Sequence, residues 1–239
     1  MSTWRALVHT QRDCSLADAV MDRGGLLDEV DLIHREPLAA ETMTQALEEL
    51  GYVEWVVVTS PYTVQALEET GLESILTMGV QLAAVGPSTA QVLSEHGLTV
   101  DLIPPQESSG AALAEAFLHG TGVVLIPGAT QSVGTVEVGL RAKGWTVISL
   151  PVYETTQAAV VDPSISTRWD EGEYEVFIAT SPSTARAAAH LLGPSVPVVA
   201  IGPSSYAAAQ DLGFPRVELA SSTNPADLAA ACIAITDIG

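Results

Sequence analysis

The chain has 239 residues, enough for one large domain or two small ones of about 115 residues each. Hydrophobic residues make up 47% but aromatics only 5%; the excess is Ala, Val and Leu, the composition of parallel strands covered on both faces by helices. With 29 acidic against 9 basic residues the formal charge is -20, which leaves no basic footprint for nucleic acid or an anionic membrane, so an anionic ligand has to be held locally.

The opening MSTWRALVHTQRD reaches a strand-like run at once and lacks a basic stretch followed by a long apolar one, so no signal peptide is expected. Short β-branched runs predict strands at 5-RALVHT, 54-EWVVVT, 82-LAAVG, 98-LTVDLIP, 122-GVVLIPG, 145-WTVISL, 175-EVFIAT, 196-VPVVAIG and 216-RVELA. None approaches the roughly 20 apolar residues of a membrane span. Helices about ten residues long fill the gaps. Several begin directly after a strand with a hydroxyl at the N-cap and Pro in the first turn, as in 59-TSPYTVQALEE, 86-GPSTAQVLSEHG and 180-TSPSTARAAAHLL, the signature of βα units. Cys14 and Cys232 stand near opposite ends without CxxC or His-paired spacing, which predicts neither a disulfide framework nor a zinc site and suits a reducing cytoplasm.

The chain repeats itself. Thr59-Ser60-Pro61 recurs as Thr180-Ser181-Pro182, and Val85-Gly86-Pro87-Ser88 recurs at nearly the same offset as Ile201-Gly202-Pro203-Ser204. In both copies a glycine, Gly97 or Gly213, stands eleven residues beyond the second motif. A weaker match joins the segments starting at residues 5 and 123, so the order reads A, B, C, D, E and then A, B, C, D, E again. A boundary near residue 120 gives tandem domains. The Pro-containing segments 33-IHREPLA and 149-SLPVYETTQAAVVDP suggest instead two crossings, with one domain at 37–150 and the other joining 1–33 to 157–239. Periodicity is compatible with both.

The motifs 56-VVVTSPYTVQAL, 84-AVGPSTAQVLSEHG, 103-IPPQESSGAALAEAF, 150-LPVYET, 178-IATSPSTARAA and 200-AIGPSSYAAAQDLG, in this order and spacing, resemble the uroporphyrinogen-III synthase family over nearly the whole chain. The resemblance implies an α/β fold of two similar domains, each a parallel sheet flanked by helices. It also implies the interrupted layout, with 34–36 and 151–156 as a two-stranded linker and the active-site cleft between the domains. It implies a monomeric lyase without cofactor or metal, acting on a linear tetrapyrrole with eight carboxylates. In one place the chain departs from the family: the first strand commonly ends in Thr-Arg-Pro, whereas here it reads 9-HTQRD, so that either Arg12 is displaced by one residue or Gln11 replaces the usual Arg, which leaves the role of that arginine unassigned.

A protein at -20 repels such a substrate at long range. Helix N-termini rich in Ser, Thr and Gly answer this, because their unpaired backbone N–H groups and positive dipole ends attract carboxylates without a cationic side chain. The candidate substrate-binding residues are Thr59 and Ser60; Ser88 and Thr89; Ser108, Ser109 and Gly110; Ser181 and Ser183; and Gly202, Ser204 and Ser205, with Thr223 marking a further turn. Each turn alone is explained by an ordinary N-cap worth about 1 kcal/mol. Together, at the carboxyl ends of parallel strands, they read as a ligand site. Tyr153, in 150-LPVYET, is the candidate catalytic residue: a phenol with pKa near 10 stays protonated at neutral pH and can donate to a departing hydroxyl. The alternative for Tyr153 is simple packing at a hinge.

No Walker A, HExxH, GxSxG or GxGxxG motif occurs. His9, His34, His96, His119 and His190 are scattered without ligand spacing, and acidic clusters such as 47-LEELG and 68-EET read as solvated helix faces. A two-lobed small-anion sensor is the competing class, and a nucleotide-binding transferase, lacking a phosphate loop, the third.

Overall fold

The computed structural model describes residues 4–10, 14–41, 52–105, 108–131 and 134–236; Gln11, Arg12 and the acidic cluster at 47–51 lie outside the described residues. The elements begin with β1 Arg5–His9, α1 Ser15–Met21, β2 Leu26–Val30, β3 Ile33–Pro37, β4 Trp55–Val58 and α2 Pro61–Glu69. A 3-10 turn, Glu73–Thr77, leads to β5 Gln81–Ala84, α3 Pro87–Glu95, α4 Gly110–Ala116, β6 Val123–Ala129, α5 Thr135–Ala142 and β7 Thr146–Gln157. The rest is α6 Pro163–Asp170, β8 Val176–Ala179, α7 Pro182–Leu191, β9 Val198–Ala200, α8 Pro203–Asp211, β10 Val217–Leu219 and α9 Pro225–Thr236.

These elements form two compact units, Met1–His34 with Thr156–Gly239, and Arg35–Thr155. In the first, the sheet order is β10-β9-β8-β1-β2, with every one of these neighbours parallel. In the second the order is β3-β7-β6-β4-β5, where β7, β6, β4 and β5 are mutually parallel and Leu102 adds a single parallel bridge to Ala83 beyond β5. The two orders are copies. The strand before each Thr-Ser-Pro turn (β8, β4) lies between the strand before a Gly-Pro-Ser turn (β9, β5) and the first strand of the A–B pair (β1, β6). Strand β1 therefore pairs with β8 from the far end of the chain, and β4 with β6.

Burial on both faces explains the unbroken apolar runs, since residues of a strand alternate between faces. In the first unit Leu7, Phe177 and Val198 pack with Trp169 and Phe214 on one side, while Ala6, Val8, Ile178 and Val199 pack with Leu228 and Cys232 on the other. In the second, Val56, Val58 and Leu82 face Val64, Leu67 and Leu93, while Val57, Ala83 and Val124 face Leu113, Leu140 and Trp145.

The helices that follow the motif strands start as their sequences dictate. Pro stands at the first turn of α2, α3, α7 and α8, where its missing N–H costs nothing. Gly97 and Gly213, just past α3 and α8, take φ of +75 and +81, the left-handed conformation that ends a helix at lowest cost to glycine. The run 98-LTVDLIP forms no strand beyond the Leu102 bridge, and β2, with Asp28 and Glu29 in LLDEV, is a strand that the β-branched pattern passes over.

The residues of the expected crossings lie in strands. Residues 34–36 fall in β3, at the edge of the second unit's sheet beside β7, and 151–156 fall in the twelve-residue β7. Within the second unit Leu38 N–H donates to Val152 O at 3.0 Å. No described helix is long and apolar enough to cross a membrane.

Candidate functional site

In the second unit the turns follow β4 and β5. Ser60 caps α2, its Oγ accepting from Tyr62 N–H at 3.3 Å, and Thr59 beside it is half-buried. Gly86 caps α3 without any side chain to offer, leaving Ser88 exposed and Thr89 1% exposed with no partner for its Oγ1. Ser108 lies directly on Gly86, so two of the expected turns meet: a Cβ at position 86 would come within 2.7 Å of the Ser108 Cβ. Ser109 caps α4, its Oγ accepting from Ala112 N–H at 3.1 Å, and Gly110 is the first residue of that helix.

The first unit repeats this after β8 and β9. Ser181 and Thr184 form a reciprocal capping box, Thr184 N–H to Ser181 Oγ at 3.1 Å and Ser181 N–H to Thr184 Oγ1 at 3.0 Å. Ser183 accepts from Arg186 Nη2 at 3.5 Å. Gly202 caps α8, again without a side-chain bond, with Ser204 exposed and Ser205 2% exposed. The turn at Thr223 differs from the expectation. Asn224 does the capping, its Oδ1 accepting from Ala226 N–H at 2.8 Å, and Asp227 takes a bond from Ser222 Oγ at 2.6 Å. Asn is the better capping residue, and Asp227 in the first turn of α9 places a carboxylate of the protein's own at that helix start.

The turns are therefore of two kinds. Where serine caps, its Oγ already takes up the Tyr62, Ala112 or Thr184 amide. Where glycine caps, α3 and α8 have no side-chain cap bond, so the positive helix end is not compensated by a capping hydroxyl.

Among the described residues most cationic side chains are committed elsewhere. Arg5 and Arg168 both bind Asp28 at 2.9 Å, joined by the Tyr174 hydroxyl at 2.9 Å. Burial, then the bond to Asp28, pushes the Tyr174 phenol up to about 12, and the Tyr174 and Asp28 contacts raise Arg168. Lys143 donates to Glu115 O and Phe117 O, and Arg141 to Val147 O. A cavity of about 500 Å³ in the first unit is unsuited to anions: Glu29, Asp31 and Asp162 line it with Thr10 and His34. Ser164 holds Asp162 below the usual carboxylate range through its hydroxyl and its amide. Cys232 is buried, which pushes its thiol up to about 12, while Cys14 is exposed. Among the described residues no group of three or more His, Cys, Asp or Glu is placed to hold a metal ion.

Tyr153 lies in β7, 6% exposed, with its ring edge-on to Tyr62 at 4.8 Å between centroids and 77° between planes. Tyr62 itself escaped the sequence reading. It stands one residue after Pro61, donates its hydroxyl to Arg35 O at 2.7 Å, and carries the Arg35 guanidinium 5.6 Å above its ring centroid. Thr63 and Thr184 were missed as well. With Thr89 and Ser205 they complete a buried hydroxyl three residues after each cap, which the spacing 60–63, 86–89, 181–184 and 202–205 carries in plain view.

Duplicated doubly wound units, each with paired Ser- and Gly-capped turns at the carboxyl edge of its sheet, define a two-unit α/β protein of repeated origin. A family model described as uroporphyrinogen-III synthase HemD matches residues 15–230. The chain belongs to the uroporphyrinogen-III synthase family. The uroporphyrinogen-III synthase of Chlorobaculum parvum is 28% identical over 140 residues, 55% of this chain and 56% of that protein, so the match spans about half the length of this relative. The fold is shared with a crystal structure of mutant uroporphyrinogen III synthase from Thermus thermophilus, at TM-score 0.68 and 16% identity over 99% of this chain and 100% of that one. It is shared too with uroporphyrinogen-III synthetase from Helicobacter pylori, at TM-score 0.64 and 18% identity over 98% and 100%.

Proposed function

We propose that the chain cyclises hydroxymethylbilane to uroporphyrinogen III, losing water and inverting the last pyrrole ring. The observation that carries this reading is the matched pair of glycine-capped helix starts without a side-chain cap bond, Ser88–Thr89 and Ser204–Ser205, one at the carboxyl edge of each sheet. Backbone donors at these starts suit a substrate bearing many carboxylates on a protein of charge -20. Thr59, Ser60, Ser108, Ser109, Gly110, Ser181 and Ser183 are the further substrate-binding candidates of this reading.

The chemistry asks little of the side chains. The terminal hydroxyl leaves as water, helped by the pyrrole nitrogen lone pair, and gives an electrophilic azafulvene. The substituted carbon of the last ring attacks it, and cleavage and reclosure of the resulting spiro ring invert that pyrrole. Tyr153 donates the proton to the departing hydroxyl, the proton that the last ring loses on closure of the macrocycle balances it so that water is the only net loss, and the turns orient the chain and exclude direct closure. The reading takes 1–33 with 157–239 and 37–150 as the moving bodies, 34–36 and 151–156 as the hinge, and a cofactor-free monomer in the cytoplasm as the working form.

Incubation with freshly generated hydroxymethylbilane, followed by separation of isomers, tests the reading. Predominant uroporphyrinogen III is expected. The uninverted isomer alone, at the spontaneous rate, would leave a non-catalytic binding protein.

A further inference from the structure

We propose that Tyr62 is a positioning residue for Tyr153, linking the Ser60 turn to the placement of the phenol; this rests on the reading of Tyr153 as the leaving-group donor. Three contacts carry it. The Tyr62 ring meets the Tyr153 ring edge-on at 4.8 Å, its hydroxyl donates to Arg35 O at 2.7 Å, and its N–H donates to Ser60 Oγ at 3.3 Å. One side chain on the first turn of α2 thereby touches β7 through Tyr153 and β3 through Arg35, the two strands that hold the expected crossings. The Arg35 guanidinium lies over the Tyr62 ring, 5.6 Å from its centroid.

The physical sense follows from the geometry of the phenol. Tyr153 is 6% exposed, so its ring direction is set by its neighbours rather than by water. Tyr62 abuts that ring, and an edge-to-face pair has a preferred angle, so a ring at position 62 fixes the plane of the Tyr153 ring and with it the plane in which the phenolic O–H bond prefers to lie. The Ser60 Oγ accepts from the Tyr62 N–H, so the cap holds the backbone from which the Tyr62 ring extends toward Tyr153.

The test is a double-mutant cycle on turnover with hydroxymethylbilane, using Tyr62→Leu, Tyr62→Phe and Tyr153→Phe, with thermal unfolding as the control for folding. Tyr62→Leu is expected to lower kcat about two- to tenfold, the worth of an aromatic edge contact, with KM changed less. Tyr62→Phe keeps the ring and is expected to recover most of that loss. In the Tyr153→Phe background Tyr62→Leu should cost little further, because the group it positions is already inactive. An equal fold-loss in both backgrounds, with Tyr153→Phe impaired, would overturn the positioning role and leave the donor reading intact. Equal losses for the Leu and Phe variants would overturn it as well, since the tie to Arg35 rather than the ring would then matter. Full turnover by Tyr153→Phe would overturn the donor reading and the positioning role with it.

Discussion

Gly86 and Ser108 are in direct contact, the Ser108 side chain resting where any side chain at position 86 would have to go. The backbone of Gly86 is extended, with φ of −175, so the glycine is required by this close approach and not by a special conformation. Gly86→Ala forces the two turns apart. The expected result is a stability loss of about 1–3 kcal/mol and at least tenfold weaker product binding. Gly86→Ala combined with Ser108→Gly should regain a large part of both, measured by thermal unfolding and calorimetric titration; no recovery would mean that the contact is not what couples the turns.

Tyr153→Phe removes the phenol and keeps the ring that packs against Tyr62. Product affinity should stay within about twofold, and single-turnover rates should fall about ten- to a hundredfold, the low end for a general acid because the substrate ionises with its own nitrogen's help. An unchanged rate would make Tyr153 a packing residue of the second unit's core.

Much of this was legible in the residues. The Thr-Ser-Pro and Gly-Pro-Ser repeats mark strand ends and helix starts, and their copies fall at matching places in two sheets of the same order. What escaped are relationships that cross the chain. Asp28 collects Arg5, Arg168 and Tyr174, residues brought together only by strand pairing and by the packing of α6. Tyr62 reads locally as an ordinary second residue of a helix, and its contacts to Arg35 and Tyr153 depend on which strands lie beside it. Ser109 and Asn224 were distinguishable from their neighbours only by cap geometry, which decides between adjacent hydroxyls and amides.

The Asp28 cluster has a pH signature. The Tyr174 phenol is pushed up to about 12 in the fold, chiefly by burial, against about 10 in the unfolded chain. Below pH 10 both states hold the proton and stability does not change on this account; between pH 10 and 12 the unfolded state loses its proton first, so stability falls as pH rises. Chemical unfolding across that range should show the fall in wild type and a flatter curve in Tyr174→Phe. Identical slopes would place the effect elsewhere.

The charge of -20 predicts an unusual salt dependence. Raising ionic strength from 0.01 M to 0.15 M shortens the Debye length from about 30 Å to about 8 Å, which relieves the distant repulsion of a polycarboxylate before it weakens close contacts. The second-order rate kcat/KM should therefore rise over this interval. A steady fall would point to local cations, with Arg35 on Tyr62 and Arg186 on Ser183 as candidates among the described residues.

Amide resonances recorded while product is added anaerobically test most directly whether backbone turns hold the substrate. The N–H signals of Ser88, Thr89, Ser204 and Ser205 should move strongly downfield, as donors to a carboxylate do, and Ser204→Ala should keep both the shifts and the affinity while Ser204→Pro, lacking the N–H, loses them. If those four amides stay in place while the Arg35 and Arg186 side-chain N–H signals move, the carboxylates are held by guanidinium groups and the account is wrong.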